Sequence, residues 1–166
     1  MSTVLIATTE NSSDKQALFN QAISFFNAGS RCLSENPLTP LVSTKPLIPA
    51  VVCYAFSCEL YLKLLHLIDL DEPTRGHSLH DLFSALPERT RSDLTDLCKN
   101  PETESLILSV SGSFSRWRYQ HEFGAMSINP QVLIAIATAC HRLVRRKSPE
   151  LTAIGENETA SLSYEI

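Results

Sequence analysis

The chain has 166 residues, 43% hydrophobic and 19% charged, with a formal net charge of −4. That is enough apolar material for one globular core, and the acidic balance excludes a surface coated in positive charge for nucleic acid, though a local basic patch stays open. Five cysteines (Cys32, Cys53, Cys58, Cys98 and Cys140), an odd number with no C-x-x-C spacing, argue against a disulfide framework or zinc ribbon. They read as free thiols in a reducing compartment.

Residues 1–11 read as an N-terminal extension. Val4 to Ala7 is apolar but has no basic stretch before it and no small-residue cleavage site, so a signal peptide is not expected. Ser12, Ser13 and Asp14 are N-cap candidates for a first helix whose stripe is Leu18, Ala22, Phe25, Phe26, Gly29, Cys32 and Leu33. Prolines 37, 40, 46 and 49 punctuate the following loop, and either of the last two suits the first turn of a second helix over about residues 47–70. That helix is apolar nearly all round, which predicts a central, buried element. Glu59, Lys63, His66 and Asp69 cross it, so it does not read as a membrane span, and the expected location is the cytoplasm.

Ser78-x-x-Asp81 predicts the cap of a third helix carrying Leu79, Leu82, Phe83 and Leu86, and Pro87 restarts the chain toward Leu94, Leu97 and Cys98. From Glu102, a further stripe runs through Leu106, Val110, Phe114 and Trp117. Asn129-Pro130 is a cap with proline at N1, opening a final helix to about Lys147. Arg142, Arg145, Arg146 and Lys147 crowd its end, where cations favour the macrodipole and could also contact RNA phosphates. Residues 148–166 are polar and aperiodic and read as a mobile tail. The predicted fold is all-α, a bundle of four to five helices spanning residues 12–147.

Glu59, Lys63 and His66 fall at i, i+4 and i+7, either as a solvated edge of the second helix or with Glu59 turned inward as acceptor for Arg116 or Arg118. His77 reads as a turn residue bonding backbone. With His80 it lacks a third ligand of obvious spacing, so no metal is expected and no cofactor motif is present. Arg118, His121 and Glu122 share one helical face, whereas Arg116 and His121 lie about 140° apart on a regular helix.

Three phrases resemble HEPN domains. Ala55-Phe56-Ser57-Cys58-Glu59-Leu60-Tyr61-Leu62-Lys63-Leu64-Leu65 is similar to their second helix, and Gly76-His77-Ser78-Leu79-His80-Asp81-Leu82-Phe83 to their "GHdL" turn. Phe114-x-x-Trp117-Arg118-Tyr119-x-x-Glu122 resembles a late motif of a HEPN-like bacterial branch. The resemblance implies a helical bundle, commonly a homodimer, and for many members a metal-independent endoribonuclease of toxin–antitoxin, CRISPR or phage-defence systems. By that resemblance Arg116 and His121, as Arg-x4-His, are the catalytic candidates, with Arg118, Glu122 and Glu59 beside them. His121 would move the 2′-hydroxyl proton and an arginine would neutralise the phosphorane charge. Expected partners are a second copy, RNA, and an antitoxin or defence-system protein. A non-catalytic HEPN scaffold for dimerisation or partner binding stays open beside the nuclease. So does a small-ligand pocket between helices, for which the sequence points to no ligand.

Overall fold

The computed structural model describes residues 14–34, 47–112 and 129–153, and within them every regular element is a helix. There are six: α1 (Lys15–Leu33), α2 (Leu47–Leu70), α3 (Leu79–Ser84), α4 (Glu88–Cys98), α5 (Thr103–Val110) and α6 (Pro130–Lys147). The count among the described residues exceeds the expected four to five because Pro87, which cannot continue a helix, divides α3 from α4 as the N-cap of the latter.

The starts follow local chemistry. Asp14 accepts from the Ala17 amide at 3.0 Å, Ser78 from that of Asp81 at 3.2 Å, and Asn129 from that of Gln131 at 3.0 Å. Each satisfies one of the donors a helix start leaves without a partner.

Helix α2 is the axis of the bundle, as its uniform apolarity predicts. Val51, Ala55, Cys58, Leu62, Leu64 and Leu65 are fully buried. It is the one described helix long and apolar enough to cross a membrane by composition, and 67% of its most apolar window is buried inside the fold. Its most extensive contacts are with α1 and then α6. Gly29 makes the first of these possible, since a Cβ there would stand 3.0 Å from the Tyr54 ring. Ser57 adds a buried hydrogen bond to the Ala22 carbonyl at 2.8 Å.

The predicted stripes of α1 and α5 face the core, and each gains buried positions that the stripe did not include. On α1 the fully buried positions are Phe19, Ala22 and Gly29, with Leu18, Phe25 and Phe26 half-buried beside them. On α5 they are Thr103, Ile107 and Val110, with Leu106 half-buried. The Thr103 hydroxyl donates to the Asn100 carbonyl at 2.6 Å, which turns this helix start inward. Past α6 the chain folds back: Leu151 is buried, and Gln16 donates to the Thr152 carbonyl at 2.7 Å. All five cysteines are free thiols.

Candidate functional site

Glu59 is carried by the middle of α2 and is 1% exposed. Glu59 itself is therefore not part of a solvated edge, while Lys63 and His66 on the same stripe are only half-buried. A carboxylate so buried requires compensation, and Lys63, one turn on, donates to Oε1 at 2.8 Å. His77 approaches the same oxygen from the loop before α3, with Nδ1 at 2.9 Å. A carboxylate only accepts, so Nδ1 carries the proton of this bond. The Oε2 atom is buried without a hydrogen-bond partner among the described residues.

Local sequence explains how His77 arrives. Gly76 has φ +102°, a conformation that side chains other than hydrogen rarely take, and it turns the chain back onto α2. Ser78 then caps α3 and shares a 2.9 Å hydrogen bond with Ser111 at the end of α5. His77 sits in the turn before α3, as expected, and its Nδ1 bonds Glu59, a partner the spacing does not mark. His66, the third member of the stripe, instead bonds the Glu72 carbonyl through Nδ1 at 2.9 Å. His80 stands 3.5 Å from Glu104 and 3.7 Å from Asp81. Among the described residues no cluster of His, Cys, Asp and Glu is suited to hold a metal.

Arg116, Arg118, His121 and Glu122 lie outside the described residues. The four cations at the end of α6 do not form one patch. Arg142 and Arg146, both exposed, line an open groove of about 490 Å³ with Lys99, Asp96 and Leu97 of the α4 end. Lys99 occupies the left-handed C-cap of α4 (φ 53°), a position that periodicity does not mark. Arg145 instead donates to the Leu151 carbonyl, holding the folded-back segment. Lys147 is bound to Asp69 at 2.5 Å and to Thr90 Oγ1 at 2.7 Å. On a helical wheel Arg142 and Arg146 are about 40° apart and Lys147 about 140° from Arg142, which separates Lys147 from that pair but not Arg145.

A second polar cluster had no signal in the sequence because its members are 80 positions apart. The Tyr61 hydroxyl and His141 Nδ1 share a hydrogen bond of 2.9 Å between α2 and α6, and Phe19 stacks on the imidazole at 5.5 Å. A cavity of about 250 Å³ opens beside them.

No family model, curated protein or solved structure matches this chain.

Proposed function

We propose that this is a HEPN-like helical protein of the cytoplasm, homodimeric, with an RNA-directed role in a toxin–antitoxin or phage-defence system. The observation that carries the reading is the groove between α4 and α6, where Lys99, Arg142 and Arg146 converge on one open surface of an otherwise acidic molecule. Such a groove suits phosphates, whose neutralisation releases counterions and supplies sequence-independent affinity. Cleavage, on this reading, belongs to Arg116 or Arg118 with His121. The 2′-oxygen attacks the adjacent phosphorus as His121 takes its proton, the 5′-oxygen leaves with a proton from water, a 2′,3′-cyclic phosphate remains, and the arginine stabilises the charge that develops.

The test is binding and cutting of a fluorescent single-stranded RNA with EDTA present. Wild type should bind with a log K against log salt slope of about −2, as three neutralised phosphates require, and Arg142→Glu/Arg146→Glu should abolish binding. Cutting that disappears in His121→Ala with binding retained assigns the catalytic role. A folded wild type that holds no RNA overturns the proposal.

The second reading, a non-catalytic HEPN scaffold, is favoured by the Glu59 network. Its charges are committed to one another, which suits a register-fixing core more than chemistry. RNA binding without cutting would select it.

A further inference from the structure

We propose that Cys32 and Cys53 are a redox-active dithiol, which a peroxide converts to a disulfide that staples the end of α1 to the start of α2. Neighbouring contacts fix the register of these two antiparallel helices. The Ser57 hydroxyl bonds the Ala22 carbonyl, the Phe25 and Phe56 rings meet edge-on at 4.5 Å, and the Tyr54 hydroxyl donates to Ser30 at 3.1 Å. From the Phe25–Phe56 contact, Cys32 lies two turns further along α1 on the same face, and Cys53 about one turn in the same direction on α2. That leaves an offset of about 6 Å along the helix pair. Helical side chains lean toward the N-terminus of their own helix, so in an antiparallel pair these two lean toward each other and close the offset. The helices also approach closely at this end: a Cβ on Gly29, one turn before Cys32, would stand 3.0 Å from the ring of Tyr54, the chain neighbour of Cys53. A disulfide needs Cα atoms within about 7 Å, which such an approach allows.

Access and electrostatics agree with this placement. Both residues are half-buried, within reach of a small oxidant, whereas Cys58 and Cys140 are fully buried. Burial raises the Cys53 thiol above its ordinary value, and Cys32 raises it further as a like charge. That second effect falls with distance, so it requires the two sulfurs to be near one another. It also sets an order of events. The Cys32 thiolate attacks one peroxide oxygen, the O–O bond breaks, hydroxide leaves to take a solvent proton, and a sulfenic acid remains. The like charge beside Cys53 is then gone, so Cys53 ionises more readily and attacks the sulfenic sulfur. The S–S bond forms, the S–O bond breaks, and the departing hydroxide becomes water with the proton that Cys53 released. Two electrons pass from the two thiols to the peroxide. The bond closes a loop from residue 32 to 53, which restricts the unfolded chain and holds this end of the helix pair together. A dithiol reductant restores the thiols, the resting form in a reducing compartment.

This inference does not rest on the RNA reading and stands or falls apart from it. The test is differential alkylation of the full chain after one equivalent of hydrogen peroxide at neutral pH. Remaining thiols are blocked with iodoacetamide, the protein is reduced with dithiothreitol, and the released thiols are tagged with N-ethylmaleimide and located by mass spectrometry. The tag is expected on Cys32 and Cys53 together, on a chain that runs as a monomer in a non-reducing gel. The oxidised protein should melt about 5 °C above the reduced one, and dithiothreitol should reverse the shift. Cys98→Ser should leave both results unchanged. Cys53→Ser, a conservative change at a half-buried position, should leave Cys32 as a sulfenic acid that dimedone traps. Cys32 and Cys53 that remain free after oxidation overturn the proposal. So does a bond that uses Cys98, a bond between two chains, or an oxidised protein that melts no higher than the reduced one.

Discussion

Glu59 shows how one buried carboxylate organises its surroundings. Its position in a polar stripe was legible, because Lys63 lies one helical turn away and such pairs are local. The bond from His77 was not, since it joins residues 18 apart and depends on the Gly76 backbone turning the loop inward. Sequence spacing carries no record of that fold-back. The energetics follow from burial. Lys63→Met leaves the carboxylate with only the His77 bond, so it should cost about 3 kcal/mol, near the lower end for breaking a buried pair. Replacing both partners by apolar groups removes the desolvation cost as well as the attraction. The double variant Glu59→Leu/Lys63→Met should therefore lose less stability than the sum of the two single changes. Urea unfolding of the four proteins in the cycle measures this coupling. Additive losses would mean that the pair is screened despite Glu59's burial.

At the scale of elements, helix existence and starts were legible because caps and hydrophobic periods are local: Asp14, Ser78 and Asn129 all perform the predicted role. Which cations of α6 face solvent was less so, because that depends on what packs against each side of the helix. Asp69 lies in the last turn of α2, Thr90 in the first turn of α4, and Lys147 closes α6, and the three meet in one chain of bonds. Lys147 donates to both Asp69 and Thr90, and the Thr90 hydroxyl donates to Asp69 at 2.6 Å. With Thr90 1% exposed, this junction ties three helix ends together where apolar contacts run out. Thr90→Val keeps the shape and removes both hydroxyl bonds, and should cost about 2 kcal/mol in urea unfolding. Arg146→Ala, on the exposed face, should stay within about 0.5 kcal/mol of wild type. A Thr90→Val protein as stable as wild type would reassign the junction to solvent-screened pairing.

The whole molecule unfolds against a proton inventory set by its core. Cys58 on α2 and Cys140 on α6 are both fully buried, and burial raises each thiol above its ordinary range. Cys58 also donates to the Leu133 carbonyl at 3.3 Å, a bond only the protonated thiol makes. In the unfolded chain both ionise near their ordinary value of about 8.5. Above that pH the unfolded state binds fewer protons than the native one, so stability falls as pH rises. The contribution is fully present below about pH 8 and declines through the alkaline range. For two thiols, the loss between about pH 8 and 9.5 is roughly 2.5 kcal/mol. Urea midpoints at these two pH values should show that decline, and Cys58→Ala/Cys140→Ala should flatten most of it while lowering overall stability through the methyl-sized gaps it leaves. If the double variant declines as steeply as wild type, other groups govern alkaline unfolding. Thiol labelling supplies the kinetic counterpart. Half-buried Cys32, Cys53 and Cys98 should react while the protein stays folded. Cys58 and Cys140 should react only at the rate of global opening, because nothing less than separating α2 from α6 exposes them.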